Sequence, residues 1–203
     1  MRLTSTAVHK LAYHIVRQGN LSGFNPQNVS NIFWVYATTG KSHTQLFKQL
    51  ADYIVAQDDL SGFIPQSVSN IVWAYTTAGE SHPLLSQKLA DVAITRRNDF
   101  NAQGISNLLW AYAVANIDVP SQFNADFIGA CLEKENDFSL KCFPWLHQWQ
   151  LWQEELKSGI TLPPSLWKKC WEAFTHNKPT HQDCNIMSFS SWHPLVFNQK
   201  NKS

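Results

Sequence analysis

Pro26-Gln27-Asn28-Val29-Ser30-Asn31-Ile32-Phe33-Trp34-Val35-Tyr36 returns 39 residues later as Pro65-Gln66-Ser67-Val68-Ser69-Asn70-Ile71-Val72-Trp73-Ala74-Tyr75. The likeness extends outward on both sides. Leu21-Ser22-Gly23-Phe24 matches Leu60-Ser61-Gly62-Phe63, and Leu50-Ala51-Asp52 matches Leu89-Ala90-Asp91. A third copy, at an offset of 37, holds Gln103, Ser106, Asn107, Trp110 and Tyr112. Upstream, Leu11-Ala12 stands 39 residues before Leu50-Ala51, and downstream Trp149 stands 39 after Trp110. A fixed period of this length is the signature of a repeat architecture, in which each unit buries its apolar face on its neighbours.

Each unit reads as two helices. Asn25 and Asn101 suit an N-cap, and Pro26 occupies the first helical position, where a missing N–H costs nothing. Gly40 and Gly79 stand where a left-handed residue closes the first helix, and Asn116 takes that place in the third unit. Leu46, Phe47, Leu50, Tyr53 and Ile54 follow the spacing of one buried helical face, so the second helix runs from about His43 to Gln57. The expectation is an all-α fold, an α-solenoid of helical-hairpin repeats. The units are residues 1–20 (second half of an upstream repeat), 21–59, 60–98, 99–137, a diverged repeat over 138–176, and a disordered tail over 177–203. Since the pattern is under way by Leu11, the chain is expected to begin inside a repeat.

The bulk numbers narrow the function. A net charge of +1 and a sequence pI near 7.7 exclude nucleic-acid binding through bulk positive charge. Any such binding rests on a local patch, stacking or hydrogen bonds. Four cysteines at 131, 142, 170 and 184 include no CxxC pair, which predicts reduced thiols rather than a zinc site or disulfide framework. No apolar run reaches the roughly 20 residues of a membrane span. No GxGxxG loop, HRD or DFG element, HExxH or GxSxG is present. Glu154-Glu155 point about 100° apart on a helix and read as a solvated pair. We expect no catalytic residue, no metal and no cofactor. His43 and His82 read as polar residues that start the second helices.

On the first helix, Gln27, Asn31, Trp34 and Thr38 form a stripe, repeated as Gln66, Asn70, Trp73 and Thr77, then as Gln103, Asn107, Trp110 and Val114. Two readings stand. In one, amides and nearby aromatics face a groove and read bases. In the other, the amides form a ladder to the next repeat's main chain, and Trp34, Trp73 and Trp110 pack between units. The positions that vary between copies, Asn28/Ser67/Gly104, Val35/Ala74/Ala111 and Thr38/Thr77/Val114, are small and are further readout candidates. Arg96 and Arg97 are the candidate phosphate contacts.

The segment from Pro65 to Gly79 resembles the motif of octotricopeptide-type repeats. It is similar as well to the leucine-rich regions of FAST-kinase-domain proteins and to proteins grouped with subunits of the RNA-editing substrate-binding complex. Leu146-His147-Gln148-Trp149-Gln150-Leu151-Trp152, Leu162-Pro163 and Cys170-Trp171-Glu172-Ala173-Phe174 resemble the segment that precedes a RAP domain in such proteins. The resemblance covers residues 8–176. It implies a non-catalytic, RNA-binding helical-repeat protein of the mitochondrial matrix or chloroplast. Its partner would be a single-stranded transcript, within a ribonucleoprotein assembly, and its role RNA processing, stability or translation. From the residues alone, a protein-binding scaffold of armadillo or HEAT type is the alternative.

Overall fold

The structure, a computed structural model, describes residues 5–117 and 121–176. The expected disorder of residues 177–203, and Cys184, lie outside that range. Among the described residues the chain is all-helical, with nine α-helices and two short 3-10 turns. It divides into two compact units, Met1–Asp99 and Phe100–Ser203. The first contains α1 (Ser5–Gln18), α2 (Pro26–Thr38), α3 (Thr44–Val55), α4 (Pro65–Ala78) and α5 (Pro83–Thr95). The second contains α6 (Ala102–Val114), α7 (Ser121–Glu133), α8 (Phe143–Glu155) and α9 (Pro164–His176).

Local chemistry sets the helix ends. Asn25 accepts the N–H of Asn28, and Asn28 returns a bond to the N–H of Asn25, a reciprocal cap at the start of α2. Asn101 accepts the Gly104 N–H in the same way. His43 and His82 cap α3 and α5 through Nδ1, which accepts the N–H of Leu46 and of Leu85. First-type helices end on a left-handed residue: Gly40 at φ 63°, Gly79 at φ 68° and Asn116 at φ 48°. The N–H of the following residue then reaches back five residues, Lys41 to Tyr36, Glu80 to Tyr75 and Ile117 to Tyr112, which satisfies a terminal carbonyl.

Packing follows two layers in the first unit. First-type α2 lies against α4, while second-type α3 lies against both α1 and α5. In the second unit α6 lies against α8, and α8 against α9. This is helical-solenoid packing within each unit. Val29, Phe33, Tyr36, Leu46, Phe47, Leu50 and Ile54 are buried in the first unit, and Val8, Ala12 and Ile15 of α1 join them. Phe47 is the hub: its ring stands 5.1 Å from Phe33, 5.1 Å from Tyr75 and 6.0 Å from Tyr36, edge-on to each.

A buried tyrosine hydroxyl needs a partner. Tyr36 donates to the Val8 carbonyl at 2.6 Å, and Tyr75 donates to the Phe47 carbonyl at 2.5 Å. Donors and acceptors are each 39 residues apart, so one side-chain bond ties a first-type helix to the preceding second-type helix twice over. Burial pushes both hydroxyls above the ordinary tyrosine pKa. Close approach matters too. A Cβ on Gly62 would stand 3.0 Å from Pro26 Cγ, so the loop before α4 rests directly on the start of α2.

Tyr75→Phe is expected to lower the unfolding free energy by about 1–2 kcal/mol. Tyr53→Phe, which removes a part-buried bond to the Phe24 carbonyl, is expected to cost less. Urea denaturation monitored by circular dichroism checks this. An unaffected midpoint for Tyr75→Phe would show that the bond does not hold the two helices in register.

Candidate nucleic-acid interface

The amide-aromatic stripe is most open on α2. Gln27, Asn31, Trp34 and Thr38 are all exposed. Gln27 Nε2 donates to Asn31 Oδ1 at 2.9 Å, which leaves the Gln27 oxygen and the Asn31 amide hydrogens facing solvent. One turn on, the Trp34 ring is 49% exposed. The expectation that this ring packs between units therefore fails at Trp34, although Trp73 (6% exposed) and Trp110 (2%) are buried. The cause is the flank on which they lie. Among the described residues α2 takes a first-type neighbour, α4, on one side, and its stripe is more open than that of α4 at three of the four positions. Asn31 is exposed where Asn70 is half-buried, and Thr38 where Thr77 is half-buried.

The varying positions fare differently from their expected role as open readout positions. Asn28 is exposed but tied into the N-terminal cap of α2. Ser67 and Gly104 are buried, as are Ala74 and Ala111. Thr38 Oγ1 donates back to the Trp34 and Val35 carbonyls of its own helix. The buried ones, Ser67, Ala74, Gly104 and Ala111, lack bulk and so permit close packing. Gln66 and Gln103 remain exposed at the starts of α4 and α6. Asn31 pairs within its own helix, and Asn107 Oδ1, like Thr77 Oγ1 and Trp73 Nε1, is buried without a hydrogen-bond partner.

Arg96 is also redirected. Its Nη1 donates to the carbonyls of Ser61 (3.2 Å) and Phe63 (3.1 Å), and its Nε faces Asp99 at 3.2 Å. The guanidinium closes the loop before α4, whose carbonyls have no helical partner, rather than facing solvent phosphate. Arg97 Nη1 donates to the Ile94 carbonyl, near the end of the preceding helix α5. Lys88 does similar work, with Nζ on the Val55 carbonyl at 2.9 Å and on that of Gln57. By contrast the basic residues of α1, Lys10 and Arg17, are exposed and make no ion pair or hydrogen bond among the described residues. Sequence reasoning did not single them out. Their signal was available in the absence of any Asp or Glu before Asp52.

In the second unit Trp110 Nε1 donates to Gln148 Oε1 at 3.1 Å, and Trp152 Nε1 to Asn116 Oδ1 at 3.0 Å. His147 lies between Trp167 and Phe174, at ring separations of 4.8 and 4.3 Å and nearly parallel to both. Burial in this aromatic stack lowers its pKa from 6.5 to about 4. Cys131, Cys142 and Cys170 are reduced and buried, and burial raises the pKa of Cys170 to about 12. Among the described residues no group of three or more His, Cys, Asp or Glu could hold a metal ion, and no helix is long and apolar enough to cross a membrane.

No family model matches the chain, and no curated protein matches it significantly.

The His147 stack makes the second unit acid-sensitive. Its folded pKa of about 4 lies below the 6.5 of the free side chain, so the unfolded chain binds more protons between those values. The stability that neutral His147 contributes is complete above pH 6.5 and declines as the pH falls toward 4. His147→Phe is expected to flatten that decline. Denaturation midpoints of the two proteins at several pH values across this window give the comparison, and parallel curves would refute the assignment.

Proposed function

We propose that this chain is a non-catalytic helical-repeat module that binds single-stranded RNA, and that it serves organellar transcripts. The observation that carries the reading is the open stripe of α2, where a half-exposed Trp34 ring follows the exposed Gln27–Asn31 amide pair on one helical face. An exposed indole is a stacking platform for an unstacked base, and amide donors and acceptors match base edges. The organelle, mitochondrion or chloroplast, and the role in RNA processing, stability or translation rest on the motif resemblance alone.

On this reading stacking and amide bonds carry more of the binding than the candidate arginines do, because Arg96 and Lys88 are committed to main-chain carbonyls. That commitment is also what favours the second reading, a scaffold that binds protein in the manner of armadillo or HEAT repeats, for which exposed Leu84 and Leu132 would supply apolar contact.

Trp34→Ala separates the two. Loss of one stacked base is worth about 1–3 kcal/mol, so single-stranded RNA affinity in fluorescence anisotropy is expected to fall between about fivefold and over a hundredfold. The melting temperature should hardly change, since the ring is half in solvent. RNA affinity that survives the substitution, or is absent in the parent protein, would defeat the reading and leave the scaffold.

A further inference from the structure

The charge of this chain is unevenly placed. Its first 51 residues hold five Lys or Arg and no Asp or Glu, while the whole chain holds 16 and 15. A local charge of +5 is thus hidden within a total of +1. The structure shows where much of it stands. Helix α1 contains no acidic residue, and Lys10, His14 and Arg17 fall at i, i+4 and i+7 along one exposed line. His9 and Tyr13 form the adjacent exposed line, and Tyr13 is 65% exposed. None of these five side chains has a hydrogen bond or ion pair among the described residues. Three other cations of the first unit are paired: Lys48 with Asp52, Arg96 with Asp99 and two carbonyls, Lys88 with two carbonyls.

We propose that the outer face of α1 is a second contact surface for single-stranded RNA, one that holds the phosphodiester backbone. The proposal rests on the RNA reading above and adds to it the electrostatic anchor that the α2 stripe lacks. Lys10 and Arg17 lie about 10 Å apart along the helix, so they meet different phosphates of one strand. Tyr13 on the adjacent line offers an aromatic face beside them, the combination of basic groups and stacking surface that sequence-tolerant strand binding uses.

A basic helix with an apolar side is also the form of a membrane-surface anchor. The apolar side of α1 is already covered. Val8, Ala12 and Ile15 are buried in the first unit, and the Val8 carbonyl holds the Tyr36 hydroxyl. Lipid insertion would require α1 to leave the stack, whereas a polyanion needs only the face that is free.

The test is anisotropy of a labelled oligouridylate against the full chain over a salt series from about 50 to 200 mM. Lys10→Glu with Arg17→Glu is expected to reduce affinity at the lowest salt at least tenfold. It should also flatten the slope of log affinity against log salt by about 1.4, or about 0.7 for each single-strand phosphate that is no longer neutralised. Lys168→Glu, an exposed cation on α9, should change neither, and equal melting curves confirm that the variants fold. An unchanged salt slope in the double variant, with Trp34→Ala still weakening binding, overturns this proposal and leaves the RNA reading intact. Failure of the parent protein to bind the oligonucleotide overturns both. Binding of the parent to anionic phosphatidylserine vesicles, abolished in the double variant, with a salt slope for RNA that the variant does not alter, overturns it in favour of a membrane surface.

Discussion

A tyrosine hydroxyl cannot be buried among apolar rings without an acceptor, and here the acceptor is a carbonyl of the preceding second-type helix. That one requirement organises the first unit. Tyr36 finds Val8 and Tyr75 finds Phe47, each carbonyl serving on a spare lone pair beside its role within a helix. Shifting either first-type helix by a turn would strand a polar atom in the core and break the edge-on contacts around Phe47. Helix pairs that could otherwise slide along an apolar seam are therefore held at one register. Small residues in the seam, Ser30 and Ser69, bond back to their own helices and allow the close approach.

Once the register is held, the carbonyls at loops and helix ends remain to be satisfied, and the chain places its scarce cations there. Lys88 reaches back to the end of α3, and Arg96 to the loop before α4, each across more than 30 residues. A basic side chain near the C-terminal end of a helix also meets the negative pole of its dipole. These groups act as fasteners between successive hairpins. In the acid-free stretch before Asp52, Lys10 and Arg17 are not used in this way: no described carbonyl or carboxylate engages either.

How much was legible follows from the range of each interaction. Asn25, Asn101, Gly40 and Gly79 act on atoms within five residues, and the spacing of the sequence displays them directly. The helix pairs and their stacking were legible for a related reason, since an apolar face at 3.6-residue spacing has one use. Trp34 was not legible. Its identity and its neighbours match those of Trp73, but exposure depends on what lies across the seam, and a repeat motif does not report that. Arg96 was misread for the same cause: its partners, the Ser61 and Phe63 carbonyls, come from the previous hairpin. The basic face of α1 was legible in principle from charge distribution, but the whole-chain total of +1 concealed it.

The contrast between Trp34 and Trp73 bears on what the repeat is for. If recurrence alone made a binding position, both rings would be equally accessible, and they are not. Trp73 is buried with its indole N–H unpaired, Trp110 is buried on Gln148, and Trp34 is half in solvent. The recurring indole position is thus primarily a packing device, and a surface for recognition arises where the device meets solvent. On the RNA reading this places base contact on one helix rather than one base on every repeat, with α1 beside it in the chain to hold the backbone. Affinity would then be set by α1 and α2, and substitutions at Asn107 or Trp110 would act through stability.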